Sequence, residues 1–489
     1  MAFGRLDPVQ WRIAPGPPVS PRMSQSLKLR FPAIVAEVRS LWQLAWPMLV
    51  GQLATVGMGV SDVAMTGHVS AEDLASVSLG ASIWAIVIVT VMGVIMAINA
   101  VVAHEMGAGN AARVPHVVRQ ALWKAAGIGV LAFIVANLGT YLFDVLDLPP
   151  AVHDKATTFV HVISFGLPAF TAYRSLYGYS TSIHQTKPMM AIALGGLAYN
   201  IIMNWLLVYG NYGFPHLGAV GCAVATATGN WLMLGAMLWW MRVSEAYRET
   251  YPFTHWEGPK GKEIGAMLKL GWPIGVTFLA EASAFSAVCF LVARFGVVPM
   301  AANQIALNFI SLVFMVPLSF GIGLITRVGH AAGEGDPVRA RFAAWVGVGM
   351  SLAFGMLSAC FIALCRHQIA AAYTTDPTVQ AVTADLLLFA AIFQLSDSTQ
   401  VAAASAIRGY KVTRAPMLIH LLSFWGCSLP LGCVLGLAPS WMPWHPAEPM
   451  AASGFWIGLA VGLTMAATLL VWFLNHISLR KIAERQYGH

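Results

Sequence analysis

Twelve stretches of the chain stay apolar for about 20 residues or more, the length a helix needs to cross a bilayer, and polar residues collect between them. The pattern predicts spans at 41–66, 75–103, 120–143, 156–183, 189–210, 218–241, 265–294, 300–326, 342–365, 379–407, 415–437 and 451–477. The runs are continuous and do not alternate at every second residue, so they read as helices and exclude a closed barrel. Pro47, Pro168, Pro273, Pro317 and Pro430 fall inside them and predict bent helices. The expected fold is an all-α integral membrane protein of twelve transmembrane helices.

The pattern also repeats. LAWP at 44–47 returns as LGWP at 270–273, and VAHEMGAGN at 102–110 returns as VGHAAGEGD at 328–336, both at an offset of 226 residues. His104, Gly107, Gly109 and Arg113 therefore match His330, Gly333, Gly335 and Arg339. Each half holds six spans, an even number, so both halves share one topology about a pseudo-two-fold axis along the membrane normal. The expected organisation is a tail at 1–40, an N-lobe at 41–241, a linker at 242–264, a C-lobe at 265–477 and a second tail at 478–489. Tails and linker are expected on the cytoplasmic side.

Three acids interrupt the apolar runs: Asp62, Glu281 and Asp397. A charged side chain near the bilayer centre costs about 3 kcal/mol on insertion scales, so chains that keep one usually turn it toward a water-filled cavity where something binds. The other 18 of the 21 acids fall in loops, tails or span ends. The acids do not follow the repeat, since Asp62 maps onto Val288 and Glu281 onto Thr55. A shared scaffold with asymmetric carboxylates points to an ion-coupled transporter. If Glu281 and Asp397 face each other, the pair would bind a proton, or sodium with oxygens from neighbours such as Ser283, Ser396 and Ser398. Asp62 lies nearer the outer end of its span. Asn200 and Asn204, four apart on one helix face, are candidate partners for it, with interhelical packing as the alternative. Arg174 reads as the one basic residue well inside a span, either facing an acid or snorkelling toward the cytoplasm. Phe285, Phe393 and Trp84 are candidates to line a cavity, while Met96 and Met315 read as core.

Composition narrows the alternatives. Of 489 residues, 58% are hydrophobic and only 10% charged, against about 25% charged in soluble domains. With the N-terminus inside, 24 of the 28 Lys and Arg fall on the cytoplasmic side, and outer loops such as Glu72–Asp73 and Asp144–Asp147 are acidic. The net charge of +7 is thus topological and does not indicate nucleic acid. The basic first 40 residues lack the apolar core of a signal peptide before Leu41. The six cysteines lie in apolar segments without a CxxC pair and read as small core residues. An enzyme finds little support: HEMGAG at 104–109 lacks the second histidine of a zinc-protease motif, and only His161 and His420 lie well inside spans. A lipid or oligosaccharide flippase is the nearer alternative, but a cavity for polyanionic head groups calls for Lys and Arg, and these spans offer acids. A passive channel has no use for asymmetric proton-binding acids.

SDVAMTGHVSAEDLASVSLGASIW, the paired VAHEMGAGN and TRVGHAAGEGD turns, AANQIALNFISLVFMVP and SDSTQVAAASAIRGYK together resemble the NorM branch of the multidrug and toxic compound extrusion (MATE) family, over residues 41–477. The resemblance implies a V-shaped antiporter that exports organic cations and amphipathic drugs in exchange for protons or sodium, with no other cofactor. It implies a bacterial inner-membrane protein acting as a monomer. In this family acids on the first, seventh and tenth spans carry cation coupling, and Asp62, Glu281 and Asp397 match them. Two polar residues on the fifth span match Asn200 and Asn204. The chain departs at Phe393, where many relatives have Tyr, and at Asn303, where relatives often have His. The hydroxyl missing at Phe393 tilts the expectation toward protons; sodium, if used, would bind at Glu281 and Asp397.

Overall fold

A computed structural model describes residues 27–145, 148–438 and 448–487. Most of the expected N-terminal tail, Asp147 and the last two residues lie outside them. Among the described residues the secondary structure is helical throughout, with no strand. The N-lobe comprises α1 (Leu27–Gly67), α2 (Ala71–Ile95), α3 (Ala97–Gly107), α4 (Val114–Gly139), α5 (Tyr141–Val145), α6 (Pro150–Ser164), α7 (Leu167–Ser182), α8 (Lys187–Leu207) and α9 (Ala219–Val243). The C-lobe comprises α10 (Gly261–Val292), α11 (Val297–Gly333), α12 (Pro337–Tyr373), α13 (Pro377–Gly409), α14 (Arg414–Leu421), α15 (Leu429–Leu437) and α16 (Ala451–Tyr487). A π-helical turn, Leu422–Ser428, joins α14 to α15.

These elements form the twelve spans. Eleven are long and apolar enough to cross a membrane on their own. The fourth is broken at Phe165–Gly166, just before Pro168, into α6 and α7. Proline lacks an N–H and crowds the preceding turn, so the break falls where the sequence places one. Several helices overrun the apolar stretches. The first starts at Leu27, 14 residues before the expected span, and α16 runs on to Tyr487. Polar end turns can leave the bilayer and still keep their helical hydrogen bonds. Large apolar side chains such as Leu142, Phe290 and Leu364 stay exposed around the outside, as a lipid-facing surface requires.

The repeat is visible in the way the lobes meet. Both α3 and α11 end at the repeated histidine–glycine turn. Asn110 N–H donates to Glu105 O at 2.9 Å, and the equivalent Asp336 N–H donates to Ala331 O at 3.0 Å. Gly109 and Gly335 both have positive φ, 73° and 71°, which glycine adopts without cost. A side chain at Gly107 would strike the carbonyl of His330, and one at Gly333 would strike the carbonyl of His104. The contact is reciprocal and lies on the pseudo-two-fold axis. On either side of it α1 packs on α11, with Leu41 against Gly323, and α10 packs on α2, with Gly271 and Gly275 against Val94.

All these contacts lie toward the end of the bundle that carries most of the basic residues. Along α11, Pro317–Thr326 are all buried, whereas Val297–Met315 alternate with exposed positions. The lobes therefore meet in one half of their length and leave a cleft in the other. At the basic end Arg327 donates from Nε to Glu37 Oε1 at 2.8 Å and pairs with Oε2 as well, joining α11 to α1. His330 Nε2 lies 2.7 Å from Ser182 O. The linker is also fastened down. His116 reaches Glu257 through one ring nitrogen and Glu263 through the other, at 2.5 and 2.6 Å, and Arg119 donates to Pro252 O at 2.9 Å. Desolvation alone would raise the Glu257 carboxyl, but the Arg119 and His116 hydrogen bonds outweigh it and hold it down at about 2.

Candidate functional site

The three span carboxylates occupy two separate polar clusters. In the N-lobe, Asp62 of α1 faces α8 and α9. Asn204 Nδ2 donates to Asp62 Oδ1 at 2.6 Å and Asn200 Nδ2 to the same oxygen at 3.1 Å. Thr226 Oγ1 donates to the other oxygen at 3.2 Å. Asn200 and Asn204 are linked at 3.3 Å, as i, i+4 residues on one helix face can be. Every donor is neutral, and the Asn204 side-chain oxygen is buried without a partner. Thr226 carries no sequence signal, because a threonine among the alanines of α9 reads as packing.

The C-lobe cluster is built differently. Asp397 of α13 is 2% exposed, while Glu281 of α10 keeps partial exposure. Gln400, one turn beyond Asp397, donates to Asp397 Oδ1 at 3.1 Å and contacts Glu281 as well. Arg408, 5% exposed, sends its guanidinium back along α13 over the Phe278 ring, 5.3 Å from its centre, within electrostatic reach of Glu281. Helical side chains tilt toward the N-terminus of their helix, so a residue at the basic end of α13 can serve the level of Phe278. The side-chain oxygens of Gln394 and Gln400 and the hydroxyls of Ser423 and Ser428 are buried without partners. Here a π-turn opens the eleventh span, and Trp425 from that turn donates to Ala280 O at 3.2 Å.

Ser283, Ser396 and Ser398, expected as oxygen donors, are engaged elsewhere. Ser283 bonds Ala280 O, Ser396 bonds Thr464, and Ser398 accepts from Gln394. Residues adjacent in a helix point about 100° apart, so Ser396 and Ser398 turn away from the face of Asp397. Phe393 is 1% exposed, 5.9 Å from both Phe285 and Trp456. With Phe424, which also lies against Phe285, these rings form an aromatic layer inside the lobe, so Phe393 does not line an open cleft in this conformation. Asn303 accepts from Trp456 at 2.9 Å in the same layer. Trp84 packs edge-on against Phe170 in the N-lobe. Met96 and Met315 pack partly buried against the core cluster that crosses between the lobes.

Arg174 pairs with no carboxylate among the described residues. Its guanidinium lies 3.0 Å from Met92 Sδ and 4.8 Å from the centre of the Tyr177 ring. It is also not the only basic group within a helix. Besides Arg408, Lys124 is 2% exposed in α4 with Nζ 3.4 Å from Val94 O, although span counting placed it near a loop.

Comparison with known proteins fits this architecture. The MatE family model matches residues 47–206 and 273–434, two stretches that begin at repeat-related prolines. Multidrug resistance protein PmpM of Pseudomonas aeruginosa is 40% identical over 95% of this chain and 95% of its own length. Multidrug resistance protein NorM of Vibrio cholerae is 39% identical over 89% of this chain and 94% of its own. Among solved structures, the eukaryotic MATE transporter AtDTX14 superposes with a TM-score of 0.82 at 17% identity, over 92% of this chain and 99% of its own. The outward-facing form of a multidrug resistance MATE transporter gives 0.80 at 16% identity, over 91% and 96%.

Proposed function

The chain belongs to the MatE family, and from that membership we propose that it is a secondary active multidrug efflux antiporter in a bacterial inner membrane. It takes organic cations and amphipathic drugs from the inner side and releases them outward in exchange for protons or sodium. The basic end of the bundle, with both termini and the linker, faces the cytoplasm, so the cleft opens outward. Glu281 and Asp397 bind the coupling cation, and Asp62 with Asn200, Asn204 and Thr226 forms a second polar site that tunes drug binding or coupling. The protein works as a monomer, and nothing in this reading asks it to perform catalysis.

The observation that carries the reading is the C-lobe pair, Asp397 buried and Glu281 partly exposed, with a single guanidinium nearby. Two carboxylates and one Arg leave one negative charge to be neutralised. A cation that neutralises it changes the cost of burying the cluster, and a ligand shifts a conformational equilibrium only through such a difference between states. A proton is our preferred coupling ion, because Phe393 supplies no hydroxyl and Ser283, Ser396 and Ser398 are already engaged. The test is efflux of a fluorescent organic cation from reconstituted vesicles under separately imposed proton and sodium gradients. Proton-driven export lost in Glu281→Gln and Asp397→Asn supports the assignment. Export at the parental rate by both variants sinks it.

A further inference from the structure

At the floor of the cleft, Arg174 faces a small cavity of about 20 Å³ bounded by both lobes, room for about one water-sized group. Its polar lining is Arg174, Tyr177 and Asn99. The Arg174 guanidinium carries five N–H groups and no acceptor. Tyr177 is 6% exposed, and its hydroxyl is buried without a partner. Asn99 lines the same space, and the rest of the lining is apolar, including Met92 and Met96 from one lobe and Leu318 from the other. No carboxylate lines it. A charged group inside a span normally has an opposite charge or a functional reason to be there. Here the permanent cation has only a sulfur and the Phe170 and Tyr177 rings for company.

We propose that Arg174, Tyr177 and Asn99 form an anion subsite that receives the carboxylate of zwitterionic or acidic amphipathic substrates. The substrate body lies on the flexible Met92 and Met96 side chains, which adapt to irregular shapes. The proposal rests on the efflux reading above and names the residues that would orient a carboxylated substrate. A carboxylate meets a guanidinium with charge-assisted hydrogen bonds, whereas an ester of the same molecule cannot bring the charge. The subsite therefore acts as a specificity filter in which the carboxylated member of a matched pair gains affinity.

The experiment measures equilibrium binding, by fluorescence anisotropy in lipid nanodiscs, of a xanthene dye with a free carboxylate and of its methyl ester. Arg174→Gln is expected to weaken the carboxylate dye by about 10-fold or more and to shift the ester by less than about 2-fold. Retained ester binding shows that the variant is folded. If it does not fold, Arg174→Lys and Tyr177→Phe decide the matter, each expected to weaken the carboxylate dye selectively and more mildly. Equal weakening of both dyes means the guanidinium only packs, and overturns the proposal. Failure of the parental protein to bind the carboxylate dye also overturns it. Binding is read without a gradient, so loss of parental export alone would count against the efflux reading and not against the subsite.

Discussion

The two lobes share a scaffold and solve the problem of a carboxylate in a membrane in opposite ways. Asp62 is surrounded by neutral donors, two amides and a hydroxyl, at 2.6 to 3.2 Å. Glu281 and Asp397 are set beside a second acid, a glutamine and a buried guanidinium. The first arrangement fixes the position of one anion. The second sets like charges side by side with only part of the neutralising charge supplied, so it responds most strongly to an added cation. The difference teaches that duplication supplied the helices, and that chemistry was placed on each copy separately.

Removing the partial neutraliser should have the largest effect. Arg408→Gln leaves the C-lobe acids without their buried countercharge, and breaking such a group costs about 3–5 kcal/mol. The expected outcome is loss of gradient-driven efflux together with a lowered thermal midpoint, read by vesicle assay and by unfolding in detergent. A parental melting temperature in this variant would mean that Arg408 does not neutralise the pair. In the N-lobe, Asp62→Asn removes a charge whose donors can still bond an amide oxygen. Export should fall by about 10-fold or less, or the drug range should shift, with the fold intact. Loss as complete as in Asp397→Asn would erase the contrast between the lobes.

Phe393→Tyr tests the comparison from another side. The ring is buried between Phe285 and Trp456, so the added hydroxyl should cost about 1–3 kcal/mol while raising any stimulation of export by sodium. No change in the proton-to-sodium ratio would detach Phe393 from ion choice. The smallest expected effect lies in the linker. Glu257 is held down from 4.5 to about 2, so its contribution to docking is complete above 4.5 and lost as pH falls through about 2. Pepsin should cut residues 244–260 slowly until the lower value is approached, and Glu257→Gln should be cut at higher pH.

Much of this architecture was legible because the bilayer enforces it. A span must be apolar for about 20 residues, so the runs from Trp42 to Val471 give the helices away, and the fixed offset gives away the halves. Asp62, Glu281 and Asp397 were legible because a charge in an apolar run is costly. Of their partners, Asn200 and Asn204 were legible as candidates for Asp62, although Asn200 lies 138 residues away in sequence; Thr226 and Gln400 were not, because nothing local tells such residues from ordinary polar filling. Lys124 and Arg408 were hidden for a different reason. Each lies near a span end, where long basic side chains commonly snorkel to water, and only the packed structure shows that these two point inward. The helix ends were blurred as well, because hydropathy reports the bilayer and not the length of the helix.

The reciprocal contact of Gly107 and Gly333 with the carbonyls opposite has the form of a symmetric dimer interface, yet both partners belong to one polypeptide. Tethering through the docked linker replaces an encounter in dilute membrane by a local concentration on the order of millimolar. The interface can therefore be weak without risk of the halves drifting apart. Under the efflux reading proposed above, the same glycines would separate and re-engage in every turnover.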